Sequence, residues 1–255
     1  MKWYESLLKL GCFSFEELAA LVGVEATAKS ILRSYLKKGY VVKVKRGLYA
    51  AVNLLDHEPA VSRFVIASKI SDTAVVSHHS AFEYYGYAEQ VYFDMTVTSK
   101  SKFNAFTFNE YRYSRVQPTI SKGVSVHPDG ERVTDIERTV LDSINDFEKN
   151  MGFEELIKCI SAIPLLNESK LQEYLAEYDK AFLYQKAGYI LEQFQADFGI
   201  SDVFLDHCKN CMGSSSRYLV KDIPKESMDF SSRWHLTVPR DLWRRTLGGD
   251  ENAEI

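Results

Sequence analysis

Apolar residues recur at Ala28, Ile31, Leu32, Tyr35 and Leu36, the i, i+3, i+4, i+7, i+8 spacing that lines one face of an α-helix. Lys29, Arg33 and Lys37 share the opposite face. Gly39 can take the left-handed conformation that stops a helix, and from Tyr40 to Val44 the period drops to two, with Val42 and Val44 on one side and Lys43 on the other. Arg46-Gly47 supplies the glycine of a tight turn, and residues 48–52 can return as a second strand. Upstream, Ser14-Phe15-Glu16-Glu17 has the form of a capping box, with Phe13 and Leu18 at the two staple positions, so a helix should start at Phe15. Leu18, Leu21 and Val22 give that helix a buried side, and Gly23 ends it just before the basic helix. Trp3, Leu7, Leu8 and Leu10 predict a first short helix that closes a three-helix core. Two tightly joined helices followed by a hairpin are the order of a winged helix-turn-helix.

Residues 53–59 are polar and turn-rich and mark the first boundary. They separate a head, residues 1–55, from a body, residues 56–255, which divides further into an α/β part over 56–146 and a mainly helical part over 147–255. The body opens with a helix carrying Val61, Phe64, Val65 and Ser68, then a short buried segment at Ala74-Val75-Val76, then a helix begun at Ser77-His78-His79-Ser80 and ended by Gly86. Val91, Phe93, Met95 and Val97 alternate with Tyr92, Asp94, Thr96 and Thr98, the pattern of a half-buried strand. Phe106 with Phe108, Tyr111 with Tyr113 and Val124 with Val126 predict further strands of an antiparallel sheet, with a turn at Asp129-Gly130. Thr134-Asp135-Ile136-Glu137 reads as a second capping box, opening a helix whose buried side is Ile136, Val140, Leu141 and Ile144. Beyond Phe153 the period is mostly helical, with Asn167 and Ser201 as N-caps and Gly199 as a stop. Two late strands, over 217–221 and 233–238, precede a last helix with Pro239 at its first position, and the acidic end over 248–255 has little to pack. The fold class is therefore α+β: an N-terminal winged helix-turn-helix, then a mixed α/β domain with an antiparallel sheet and a helical C-terminal half.

Charge sharpens the picture of the head. Between residues 26 and 50 the charged side chains are Lys29, Arg33, Lys37, Lys38, Lys43, Lys45 and Arg46, with no Asp or Glu. Residues 1–50 carry nine Lys or Arg against four acids, a net of +5 in a chain whose net is −4, which leaves −9 on the remainder. A basic head on an acidic body fits a polyanion that only the head approaches. A basic amphipathic helix can also be no more than a solvated face, but here it coincides with a capped preceding helix and a wing. The candidate DNA-binding residues are Thr27, Lys29, Ser30, Arg33 and Lys37 on the helix and Lys43, Lys45 and Arg46 on the wing. Arg112, Arg115, Arg217, Arg233, Arg240, Arg244 and Arg245 are isolated basic residues that could bind further phosphates outside the head. No apolar run is long enough to span a bilayer and the first residues lead into no signal-peptide pattern, so the expectation is a cytoplasmic protein that does not enter a membrane. Cys12, Cys159, Cys208 and Cys211 are then expected as free thiols.

Rival chemistries are incomplete. His78-His79 with Asp135 and Glu137 has the residue types of a metal nuclease, but neighbouring helical side chains point about 100° apart and do not readily share one metal. The simpler reading gives the histidines internal hydrogen bonds, makes Ser77 a cap, and pairs Arg138 with Asp135 or Asp142 along one helix. Cys208-Lys209-Asn210-Cys211 after His207 offers half of a zinc site, and no thioredoxin-like strand precedes it. Gly213 with Ser214-Ser215-Ser216 lacks the Lys-Ser or Lys-Thr ending of a phosphate-binding loop. The aromatic residues between Tyr84 and Tyr113 read as packing over a sheet, since only Tyr111-Arg112-Tyr113 interleaves a basic residue as a stacking surface would. Residue types thus assign no catalytic residue, no metal and no cofactor.

Five stretches, in order, carry a resemblance over nearly the whole chain. They are Arg46-Gly47-Leu48-Tyr49, Ala67-Ser68-Lys69-Ile70, Ala74-Val75-Val76-Ser77-His78-His79-Ser80-Ala81, Arg132-Val133-Thr134-Asp135-Ile136-Glu137-Arg138-Thr139-Val140 and Leu183-Tyr184-Gln185-Lys186-Ala187-Gly188-Tyr189. They resemble those of AbiEi-type antitoxins. The resemblance implies a bacterial type IV toxin–antitoxin system linked to abortive infection by phage. It implies a winged head that binds and represses its own promoter, double-stranded DNA with inverted or direct repeats, and a C-terminal domain that opposes a nucleotidyltransferase-like toxin without being an enzyme. It assigns no toxin-neutralising residue. A ligand-sensing repressor with no toxin partner is the alternative reading, and an enzyme with a DNA-binding head comes third.

Overall fold

The structure of the protein, a computed structural model, describes residues 2–220 and 227–243. They fall into two units, one of residues within 1–76, 92–118 and 125–133 and the other of residues within 77–91, 119–124 and 134–255.

In the first unit α1 (Tyr4–Leu10), β1 (Cys12–Ser14), α2 (Phe15–Val22) and α3 (Glu25–Lys37) precede a hairpin of β2 (Val41–Lys45) and β3 (Leu48–Ala51). α2 starts where its reciprocal cap dictates: Ser14 Oγ accepts the Glu17 amide at 3.1 Å, and the Glu17 carboxylate accepts the Ser14 amide at 2.7 Å. Leu7, Phe13, Leu18 and Ala28 are fully buried and pack with Leu32, Tyr35 and Val41. The buried stripe of α3 is narrower than its periodicity predicts, since Ile31 is half-buried and Leu36 is exposed.

Two features of this sheet differ from the sequence expectation. β1 pairs antiparallel with β3, Cys12 opposite Ala50, so the strand order is β1-β3-β2. Three residues are too few to show a period of two. In β2 the register shifts between Lys43 and Lys45, and this bulge turns Val44 to the buried side with Val41 while Val42 is left half-buried. The predicted alternation of Val42 with Val44 fails because one extra residue reverses the phase of every position after it.

Residues 53–59 tie themselves down: Asn53 Oδ1 accepts the Leu55 amide at 3.1 Å, Asp56 Oδ1 accepts the Glu58 amide at 2.9 Å, and Val52 bridges Pro59. α4 (Arg63–Ser68) follows, capped by Ser62. The larger sheet has strands β4 (Val75–Val76), β5 (Asp94–Thr98), β6 (Phe106–Phe108), β7 (Tyr111–Val116), β8 (Val124–Val126) and β9 (Arg132–Thr134), in the order β6-β7-β5-β4-β9-β8. It is mixed and not antiparallel as predicted, with β5 parallel to β7 and β4 parallel to β9, and antiparallel pairs β4 with β5 and β6 with β7. Alternation along a strand says which side is buried and nothing of strand direction. β5 is also buried on both faces from Met95 to Thr98, a central strand between β4 and β7, while Val91 and Phe93 fall outside it at 62% and 61% exposure. The aromatic residues pack over this sheet, Phe106 stacking on the buried Tyr113 with ring centres 5.0 Å apart.

The second unit is mainly helical. α5 (His79–Tyr85), α6 (Ile136–Asn150), α7 (Gly152–Ser161), α8 (Glu168–Tyr178), α9 (Ala181–Glu192), α10 (Gln195–Phe198) and α11 (Asp202–Cys211) enclose a core that includes Leu141, Ile144, Leu156, Leu175, Ile190 and Phe204. Asn167 and Ser201 cap α8 and α11 as predicted, each accepting an amide at 3.1 Å. α6 is capped one residue later than predicted: Asp135 Oδ1 accepts the Arg138 amide at 3.0 Å, while Thr134 Oγ1 turns inward to Thr139 Oγ1 at 2.7 Å. Glu137 is thereby displaced from the capping-box position, and its carboxylate accepts the Asn167 amide at 3.0 Å. Ser77 does not cap α5, whose N-cap position is His78. In α9, Gly188 leaves room for Trp234, the largest fully buried side chain, and any Cβ there would run into the indole ring.

A small sheet of β10 (Arg217–Tyr218), β11 (Met228–Ser231) and β12 (Leu236–Pro239) closes this unit in the order β10-β12-β11. Pro239 therefore ends a strand instead of opening the predicted helix. Of the predicted features, Lys221, Arg244, Arg245 and residues 248–255 lie outside the described residues.

Candidate nucleic-acid interface

α3 exposes Thr27, Lys29, Ser30, Arg33 and Lys37 on the side opposite Ala28, Leu32 and Tyr35. Lys29 is partly committed, with Nζ 2.6 Å from Glu25 Oε1 and 5.9 Å from the centre of the Phe15 ring. The hydrogen bond and charge of Lys29 hold the Glu25 carboxyl below the usual carboxylate range. This counter-charge sits one residue outside the acid-free stretch, and its i, i+4 spacing to Lys29 is the sequence feature that betrays it. An ion pair as exposed as this one is weak and gives way readily to a phosphate. Arg33 and Lys37 make no ion pair with the described residues, and Arg33 lines a shallow groove of about 390 Å³ with Phe15, Leu32, Leu36 and Tyr49.

On the hairpin, Lys43 and Arg46 are exposed and Lys45 is half-buried. Gly47, at φ +83°, makes the turn between them and β3. Lys43 stands opposite Tyr49 and Lys45 opposite Leu48, so the bulge brings two lysines close to the tip on one strand. Across both elements the free charge has a single sign, which is the electrostatic requirement for holding a phosphate backbone.

Most of the outlying arginines are held by their own chain. Arg115 Nε donates to the Ser99 carbonyl at 2.9 Å, Arg217 stands 5.0 Å over the Phe182 ring, Arg233 pairs with Glu192 at 2.5 Å and Arg240 with Asp229 at 3.1 Å. Arg112 is exposed in β7. The residue types of a metal nuclease are drawn to separate partners: Asp135 and Glu137 share Lys170 Nζ at 3.1 and 3.3 Å, whereas His79 lies 3.0 Å from Glu155. All four cysteines are free thiols, and burial pushes those of Cys12 and Cys208 up to about 12. Cys211 Sγ sits 3.8 Å from His207 on the same helix.

His78 is 1% exposed at φ +55°, and its Nδ1 lies 2.9 Å from Ser77 Oγ. Burial holds the imidazole below its ordinary range, with Asp142 and Asp146 pulling the other way. Below an unfolded value of about 6.5 the unfolded chain binds a proton that the folded chain refuses, so stability should fall as pH drops from there toward the lower folded value. His78→Gln should flatten this part of the pH dependence of the urea midpoint. An unchanged slope in the variant would mean that His78 is not held neutral in the fold.

A comparison with protein-family models matches residues 5–52 to the family described as transcriptional regulator, AbiEi antitoxin. The similarity to the AbiEi antitoxin family is thus confined to the head. That family is one of regulators and not of enzymes. The matched residues run from α1 through the hairpin, so the matched segment contains Thr27, Lys29, Ser30, Arg33, Lys37, Lys43, Lys45 and Arg46. Among solved structures, the crystal structure of the RV2827C protein from Mycobacterium tuberculosis is similar to the chain with a TM-score of 0.61 and 12% identity, over 93% of this chain and 90% of that one. At that identity the likeness is one of fold. A comparison with curated proteins gives no match. Among the described residues no helix is long and apolar enough to cross a membrane.

Proposed function

We propose that the protein is a cytoplasmic autorepressor and antitoxin whose head, residues 1–55, binds its own promoter as a winged helix-turn-helix. Its body, residues 56–255, would oppose a nucleotidyltransferase-like toxin of a bacterial type IV phage-defence system. The observation that carries the DNA-binding half is the basic face of α3, whose one acid, Glu25, is paired with Lys29, beside the basic hairpin tip and within the segment that matches AbiEi regulators. In this reading α3 enters the major groove, Thr27 and Ser30 near its start meet base edges, and Arg33 reads a base while Lys29 and Lys37 hold phosphates. Lys43, Lys45 and Arg46 grip the backbone or minor groove. The net charge of +5 over residues 1–50 against −9 on the rest orients the head toward the duplex.

The test separates the two activities in the full chain. DNA from upstream of the gene, carrying inverted or direct repeats, is titrated with the protein, and growth is followed in cells that express the toxin of the neighbouring gene from an independent promoter. Substituting the basic face should abolish promoter binding and leave growth rescue intact. A folded variant that loses both activities together would sink this division of labour. A parent protein that represses but never rescues would instead be a repressor without a toxin partner.

A further inference from the structure

Three helical side chains that the DNA-binding reading does not use meet in the second unit. Glu155 and Cys159 stand four residues apart on α7 and so project from one face, and His79, the first residue of α5, comes up against that face. His79 Nε2 lies 3.0 Å from Glu155 Oε1, and Cys159 Sγ lies 3.6 Å from the same oxygen. The three donor atoms are all within 4.8 Å of one another, and the residues are 1%, 5% and 0% exposed. We infer that His79, Glu155 and Cys159 bind one divalent cation of borderline softness, zinc above all, in a structural site that clips α5 to α7.

The spacing suits that ion. Nitrogen, oxygen and sulfur ligands at about 2.0–2.3 Å from a tetrahedral zinc stand roughly 3.3–3.7 Å from one another, so small side-chain rotations convert the observed cluster into a coordination shell. The mixed N, O and S set favours zinc over magnesium or calcium, which take oxygen. Glu83 completes the arrangement. It is four residues beyond His79 on α5, and its Oε1 lies 2.8 Å from His79 Nδ1. A small rotation of the imidazole would let Nδ1 donate to that carboxylate and so fix the tautomer whose Nε2 lone pair is turned toward a metal, the second layer found behind metal-binding histidines. The second Glu155 oxygen or a water supplies the fourth position, and the depth of the site argues for a role in folding and not in turnover.

The competing arrangement is an imidazolium clamped between Glu83 and Glu155 with Cys159 as a bystander. Full-length protein freed of metal with a chelator and titrated with Co²⁺ distinguishes the two. The expected result is a thiolate-to-cobalt absorption band that saturates at one equivalent, is bleached by zinc, and is absent in Cys159→Ser but intact in Cys208→Ser and Cys211→Ser. Glu83→Gln should weaken zinc binding about 10–100-fold while keeping the band. Zinc should raise the melting temperature of the parent and not of Cys159→Ser. The proposal is overturned if the folded parent gives no thiolate band, or if the band survives Cys159→Ser and is lost in Cys211→Ser. It is equally overturned if NMR finds a doubly protonated His79 ring that excess zinc leaves unchanged.

Discussion

Promoter affinity should fall by roughly 10²–10³-fold when Arg33, Lys45 and Arg46 are replaced together by alanine in the full-length protein. Removing the Arg33 side chain from a base edge accounts for about 1–3 kcal/mol, and freeing two phosphates from the hairpin accounts for the rest. The components separate experimentally. Arg33→Ala alone should weaken the promoter far more than an unrelated duplex, whereas Lys45→Ala/Arg46→Ala should weaken both alike. The slope of log K against log salt should become shallower by about 0.9 for each phosphate no longer neutralised, or about 2 for the pair. Fluorescence anisotropy at several salt concentrations reads all of this. Arg33 and Arg46 are exposed and Lys45 half-buried, so a change in binding would not be a disguised loss of fold. Equal affinity of the triple variant and the parent for the promoter would refute the winged-head reading.

Arg138→Met should destabilise the protein by about 3–5 kcal/mol, the usual consequence of taking one partner from a buried ion pair. Arg138 is 2% exposed, with Nε 3.2 Å from Asp142 Oδ2 and Nη1 donating to the Lys122 carbonyl at 2.6 Å. Burial pushes the Asp142 carboxyl up, the Arg138 guanidinium pulls it back down, and Tyr178 donates to its other oxygen. Removing the guanidinium leaves that carboxylate and the Lys122 carbonyl without their cationic donor. Arg138→Met/Asp142→Leu should recover much of the loss, because apolar replacement of both charges removes the desolvation cost as well as the attraction. Urea unfolding of the three proteins tests this. A loss below about 1 kcal/mol for Arg138→Met would place the pair in the class of exposed ion pairs. Growth rescue should follow stability across the three, since Arg138 acts through packing of the body.

The legible part of this protein is the part whose partners lie within a few residues. Ser14 and Glu17 cap each other across three positions, so the start of α2 could be read directly from the chain. The basic face of α3 was equally plain, because an exposed charge needs no distant partner to be where the helical period puts it. Periodicity, however, reports that a side is buried and not what covers it. It could not supply the parallel pairing of β5 with β7, or the pairing of β1 with β3, or the bulge that turns Val44 inward. At Thr134-Asp135 both residues are competent caps, and the inward turn of Thr134 to Thr139 settled which one acts. The same limit governs the candidate metal site. His79 with Glu83 and Glu155 with Cys159 are each visible as pairs four residues apart on a helix. That the two pairs share one buried cluster, 76 residues apart in the chain, was decided by the packing of α5 against α7, because an encounter between distant segments depends on the summed burial of both and on no local property of either.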